Sequence, residues 1–134
     1  KVCDLGGGLG HVGLALKERH PHLEVVVFDQ PAVVAKAAKT DEVTFLAGDF
    51  FEPADIPKCD VIYMRHIIHD WNDEASAKIL RGCRDALPVG GRVLIVDTVL
   101  PEAGERGPEA AQAFFMDVVM LLIGSKERTE AEFR

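Results

Sequence analysis

Asp4-Leu5-Gly6-Gly7-Gly8-Leu9-Gly10 follows a short apolar start, Val2-Cys3, and leads into a helix-forming stretch at 11–19. Glycine tolerates positive φ and lets a ligand approach the main chain closely. A plain strand-to-helix turn does not call for four glycines in five positions. The stretch therefore reads as a loop that cradles a nucleotide-type ligand. The dinucleotide fingerprint GxGxxG, started at Gly6, asks for glycine at position 11, where His11 stands.

Outward from this loop, strand-like and helix-like segments alternate. Residues 2–5 form a first strand, and 11–19 have helical spacing with Val12, Ala15 and Leu16 on one side. Residues 23–28 are a β-branched run of the kind buried on both faces of a parallel sheet. A helix with proline in its first turn is expected over 31–38, and strands over 43–47 and 59–64. Asn72 or Asp73 caps a long helix running to about Leu87, with Ala75, Ile79, Leu80 and Cys83 facing the core. A strand at 92–96, a polar loop at 101–108 and a helix at 110–123, broken by Gly124-Ser125, complete the pattern. The alternation predicts an α/β fold, a Rossmann-like doubly wound and mainly parallel sheet. The chain begins inside a strand and stops inside a helix-like stretch at 129–134. The sheet is therefore expected to be truncated at both ends and to belong to a longer polypeptide.

Composition narrows the partners. The 134 residues suit one domain, and 48% hydrophobic content supplies a core. A net charge of -7 excludes the basic footprint of a nucleic-acid binder and disfavours anionic lipid. The most apolar run, 114–123, is too short to span a bilayer and contains Asp117. Cys3, Cys59 and Cys83 form no CxxC pair, which fits a reducing cytoplasm and no zinc site. A soluble cytoplasmic protein acting on small molecules, without nucleic-acid or membrane partners, is expected.

Ligands of such sheets bind at the carboxyl ends of the strands. That rule gathers Asp4, Asp29, Asp49, Arg65 and Asp97 along one edge. A carboxylate at Asp29 can accept from ribose hydroxyls whichever nucleotide is bound, so it does not by itself choose between them. Gly48-Asp49-Phe50-Phe51 adds a carboxylate for an adenine amino group and an aromatic ring to cover the base. Core packing accounts for at least one of the two phenylalanines. Together the loop, Asp29 and Gly48-Asp49-Phe50 resemble the cofactor motifs of class I methyltransferases, which implies S-adenosyl-L-methionine as the cofactor.

Arg65-His66-Ile67-Ile68-His69-Asp70-Trp71 follows the fourth strand. The HxxH spacing lacks the glutamate of a zincin and no further ligand is evident, so no metal is expected. A histidine at a strand's carboxyl end suits general-base work, because an imidazole is largely neutral at physiological pH. A phenol titrates near about 10, so removing its proton helps to create a nucleophile. We assign His66 to packing or capping and the chemistry to His69.

Ile68-His69-Asp70-Trp71-Asn72-Asp73-Glu74, Gly90-Gly91-Arg92-Val93-Leu94-Ile95-Val96-Asp97 and Ser125-Lys126-Glu127-Arg128-Thr129 make the resemblance more specific. They are similar to segments of the plant caffeate-type and hydroxyindole-type (acetylserotonin) O-methyltransferases and their microbial natural-product relatives. The resemblance covers almost the whole chain. It implies that His69 is the catalytic base, flanked by Asp97, where glutamate is usual, and by Glu127. It further implies cofactor contacts from Asp4, Gly6, Gly8, Asp29, Gly48, Asp49, Phe50 and Arg65, the last where many relatives carry lysine. Met120 and Asp70 match substrate-contacting positions. The implied reaction methylates a hydroxyl, phenolic in type, of a small aromatic or polyketide-like molecule. The implied assembly is a homodimer built through an N-terminal domain that precedes this partial catalytic domain, residues 1–134. Relatives that keep the fold but hydroxylate or decarboxylate, a non-catalytic binding module, and an NAD-dependent oxidoreductase stand as alternatives.

Overall fold

The computed structural model describes residues 1–38 and 40–134. Five strands, β1 (Val2–Leu5), β2 (Val25–Asp29), β3 (Thr44–Ala47), β4 (Val61–Arg65) and β5 (Arg92–Val96), form one sheet in the order β3-β2-β1-β4-β5. Every adjacent pair is parallel. The chain leaves β3 at one edge and re-enters as β4 on the far side of β1, so strand order reverses between β1 and β4. The crevice of such a sheet opens at this reversal. The Rossmann-like α/β fold expected from the sequence is the one observed.

Side chains of β1 and β2 alternate between two cores. Val25 and Val27 join Val43 under Leu14 and Leu16 of helix α1 (His11–Arg19). On the other face Cys3, Leu5, Phe28, Ile62 and Met64 pack with Ile79, Cys83 and Ala86 of helix α3 (Asp73–Ala86). The short helix α2 (Pro31–Val34) lies between β2 and β3.

Helix faces differ in detail from those expected. Ala15 is exposed and Gly13 is the buried residue of α1. A Cβ at Gly13 would lie 2.7 Å from Val27 Cγ2, so the missing side chain lets α1 sit close on β2. On α3 the buried line runs through Ser76, Ile79, Gly82, Cys83 and Ala86, with Ala75 and Leu80 half-buried beside it. Asn72 is its cap, Oδ1 accepting from Ala75 N at 2.9 Å. The helix expected over 31–38 ends at Val34. Beyond it Lys36 N and Ala37 N bond three residues back, to Val33 O and Val34 O, in the tighter turns that close short helices.

The C-terminal third adds helix α4 (Pro108–Leu122) and helix α5 (Glu130–Phe133). Two-residue strands β6 (Val99–Leu100) and β7 (Arg128–Thr129) pair in parallel as a second small sheet. Neither short strand was expected, because two residues carry no hydrophobic period. Leu94 and Val96 of β5 and Phe115, Val118 and Leu122 of α4 are exposed. Among the described residues no helix is long and apolar enough to cross a membrane. Cys3, Cys59 and Cys83 are free and buried. Burial pushes the Cys83 thiol up to about 12, and the neighbouring Cys59 thiol together with burial raises that of Cys3.

Candidate functional site

The glycine loop hangs from β2. Gly6 N and Gly7 N both donate to Phe28 O, at 2.8 and 3.2 Å. Gly8 N donates to Asp29 Oδ2 at 2.8 Å, and Gln30 N to Asp29 Oδ1 at 2.7 Å. Gly8 holds φ 60, a left-handed value, and a Cβ there would meet nothing within 4 Å. The loop therefore presents bare main chain to open space. Gly6, at φ 74, lies against Ile67, which leaves no room for a side chain. That contact joins the loop to the histidine segment.

Asp4 departs from its expected place at the ligand edge. It is 3% exposed, beneath the loop, between Gly7 and Gly13. A Cβ on Gly7 would lie 2.7 Å from Asp4 Cγ, so this glycine makes room for the carboxyl group. Its Oδ2 is buried without a hydrogen-bond partner. Burial, and secondarily the charge of Asp29, raises the Asp4 carboxyl to about 6 against the partial help of the Gly13 main chain. Asp4 supports the loop from below, because a carboxyl this deep is screened from a ligand by the loop itself.

Beyond β3 the chain turns at Gly48, where a Cβ would lie 2.7 Å from the Phe28 ring. Asp49 is exposed, and its Oδ1 accepts from Phe51 N at 2.8 Å. Phe50 and Phe51 both pack edge-on with Trp71, their ring centroids 5.9 and 4.7 Å from it. Both phenylalanines thus take part in packing, and both adjoin the histidine segment. Arg65 ends β4 and is exposed.

The histidine segment leaves β4 through His66, which holds φ 55, the only positive φ outside glycine among the described residues. Residues Ile68–Asp70 form one 3-10 turn. His69 N donates to Asp97 Oδ2 at 3.1 Å, and its ring Nδ1 lies 3.0 Å from Glu127 Oε1. His69 is 6% exposed and Glu127 1%. A carboxylate accepting at Nδ1 makes that nitrogen the donor and leaves the Nε2 lone pair free to accept a proton. Asp70 Oδ1 stands 3.6 Å from Nε2. His69, Asp97 and Glu127 are therefore assembled from three separate stretches. Met120 is 8% exposed on α4, and the structure places it among buried residues.

Two residues that hold this arrangement were not singled out from the sequence. Arg128, 3% exposed, donates to Ile68 O at 3.0 Å and to Trp71 O and Asp73 Oδ1 at 2.8 Å. It pins both ends of the 3-10 turn, and its guanidinium holds the Asp73 carboxyl below the usual range. Asp117 Oδ1 accepts from Glu127 N at 2.9 Å. Its signal was in view, as the one charge inside the apolar run at 114–123. Arg128 gave no local signal, since its partners lie 55–60 positions upstream.

Known proteins resemble this chain in sequence and in fold. Caffeic acid 3-O-methyltransferase of Zea mays is 44% identical over 135 residues, which is 99% of this chain and 36% of that protein. CalO1, a methyltransferase in calicheamicin biosynthesis solved with SAH bound, superposes with a TM-score of 0.86 at 36% identity. The overlap covers 98% of this chain and 39% of that one. A structure titled as a pericyclic reaction enzyme superposes with a TM-score of 0.87 at 28% identity, over 98% of this chain and 34% of that one. The chain thus spans little more than a third of the length of these relatives. The match to the O-methyltransferase domain runs over residues 1–134, glycine loop and His69–Glu127 pair included, and the chain belongs to that family.

Proposed function

We propose that the protein is an S-adenosylmethionine-dependent O-methyltransferase that methylates a phenolic hydroxyl of a small aromatic or polyketide-like molecule, with His69 as general base. The observation that carries the reading is the buried His69–Glu127 pair, 3.0 Å apart, at the same sheet edge as the open glycine loop. The residues fit the cofactor. The Gly8 face of the loop is open, and Asp29 has spent only two of its carboxylate's roughly four acceptor positions, on Gly8 N and Gln30 N. Asp29, Asp49 and the main chain at Gly6 and Gly8 hold the donor, with Gly48, Phe50 and Arg65 beside them. Bound S-adenosylmethionine supplies an electrophilic sulfonium methyl group. His69 Nε2 takes the proton of the acceptor hydroxyl, and Glu127 stabilises the imidazolium that results. Asp97 fixes the His69 main chain, and Asp70 lies on the acceptor side of Nε2.

Holding two reactants in line lowers a barrier by up to roughly 7–11 kcal/mol. One base contributes about a hundred- to ten-thousand-fold, roughly 3–5 kcal/mol. Positioning therefore outweighs base catalysis. His69→Ala should reduce kcat by about a hundred- to ten-thousand-fold while donor affinity, measured by calorimetry, stays nearly unchanged. Joint loss of turnover and donor binding would overturn the assignment. The likeness to a pericyclic reaction enzyme favours a second reading, in which the same cofactor site serves a reaction without methyl transfer. A product that gains no methyl group in its mass supports that reading.

A further inference from the structure

His66 fits neither the packing nor the capping role its sequence suggested. It is exposed, its backbone is left-handed, and its ring lies on that of His69 with centroids 5.2 Å apart. A left-handed backbone is strained for a residue other than glycine, and such strain clusters at functional positions. His66, His69 and Asp97 each bring one donor atom within 4.8 Å of the others. Asp97 Oδ1 is buried and unpartnered, and the same carboxylate's Oδ2 anchors His69 N. The third ligand that the HxxH spacing lacked thus arrives from the end of β5, 28 residues downstream of His69.

We infer that His66, His69 and Asp97 form a binding site for a divalent transition-metal ion of the zinc type, at which metal binding and proton abstraction by His69 exclude each other. Two imidazoles and one carboxylate, with the remaining positions open, suit zinc or ferrous iron and disfavour hard, oxygen-preferring magnesium. A ligating histidine ordinarily donates its second ring N–H to a carboxylate, which fixes the ring and raises its basicity. The His69 Nδ1–Glu127 Oε1 bond, 3.0 Å and buried, is that support already in place. With Nδ1 held by Glu127, the Nε2 lone pair is the one available to either the metal or the acceptor proton. One lone pair serves one of them at a time. The binding half of this inference stands independently of the proposed reaction, whereas the exclusion half rests on it.

The test is calorimetric titration of the protein with Zn2+, and separately with Mg2+, in a non-coordinating buffer. One Zn2+ per chain and no Mg2+ binding are expected. His66→Asn keeps a residue that tolerates left-handed backbone and should weaken Zn2+ by at least about tenfold, since even supporting partners are worth about 10–100-fold. Glu127→Gln should weaken it by about 10–100-fold. In turnover assays, the Zn2+ concentration that halves the native rate should rise in His66→Asn by the same factor as the dissociation constant. Absence of Zn2+ binding, equal affinity in native and His66→Asn protein, or equal binding of Mg2+ would falsify the site. His66-dependent Zn2+ binding to a protein that transfers no methyl group leaves the site standing and removes the proposed reaction instead.

Discussion

The two halves of the ligand edge are held by different means. On the β1–β2 side the glycine loop hangs from main-chain groups of β2, and its one side-chain bond, Gly8 N to Asp29, spans 21 positions. On the β4–β5 side the histidine turn hangs from side chains that arrive late. Glu127 reaches back 58 positions to His69, and Arg128 reaches 60 and 57 to Ile68 and Trp71. The first half is complete once two neighbouring strands pair. The second is complete only when the segment after α4 has docked. Both buried carboxylates keep one unpartnered oxygen, Asp4 Oδ2 under the loop and Glu127 Oε2 in the turn, but the second oxygen of Glu127 meets an imidazole. A damaging change should therefore act locally on the first side and across the whole turn on the second.

Arg128→Ala tests this most severely. It removes the guanidinium donor from Ile68 O and Trp71 O, which keep weaker bonds from Ser76 Oγ, and the nearer of two cations from Asp73, Lys126 Nζ standing 3.7 Å away. The bonds of the buried guanidinium to the two carbonyls are worth about 1.5–3 kcal/mol each, and the melting temperature should fall by roughly ten degrees. Turnover should fall with it, because His69 sits inside the turn that loosens. Donor affinity, resting on the other half, should change little. If calorimetry shows donor affinity falling in step with stability, the two halves are one unit and the contrast is lost.

Glu127→Gln is the milder probe of the same half. It keeps the shape and removes the charge that supports an imidazolium. A hydrogen bond to a charged group is worth about 1.5–3 kcal/mol, so kcat should drop by about ten- to a hundredfold with a nearly native melting temperature. A fall in melting temperature comparable to that of Arg128→Ala would assign Glu127 to structure alone.

Asp4→Asn sharpens the other half. The carboxyl group, ordinarily at 3.8, is raised to about 6 in the folded protein. The folded state therefore keeps its proton to higher pH than the unfolded one, and stability falls as pH rises from about 4 through about 6. The penalty is fully present at neutral pH, on the order of 3 kcal/mol. Asp4→Asn should be the more stable protein at pH 7.5 by about that amount and should show no advantage near pH 4. Denaturant unfolding at the two pH values measures this, and an advantage that does not change with pH would contradict it.

The same contrast explains what could be read from residues alone. The strand alternation, the glycine loop and Asp29 at the end of β2 are local patterns, and the sheet followed from them. His69 was placed by its position after a strand and by family resemblance. The burial of Asp4 was not legible because its neighbours in sequence do not disclose that Gly7 and Gly13 close over it. Arg128 and Asp117 escaped because their partners lie in other elements, and a charge on its own shows nothing of what it meets. His66 was read as ordinary for the same reason. Its significance depends on Asp97, which only the pairing of β4 with β5 brings alongside.

The small β6–β7 ladder carries a consequence of its own. Asp97 lies two residues before β6's first pairing, Val99 with Arg128, and Glu127 immediately precedes Arg128 in β7. The two acids that flank His69 are thus set by one short parallel register. Successive residues of an extended strand point to opposite sides, so a slip of one position exchanges them. Here that exchange would present the guanidinium of Arg128 to the imidazole in place of the carboxylate of Glu127. The sign of the field at His69 is encoded in the alignment of two pairs of residues.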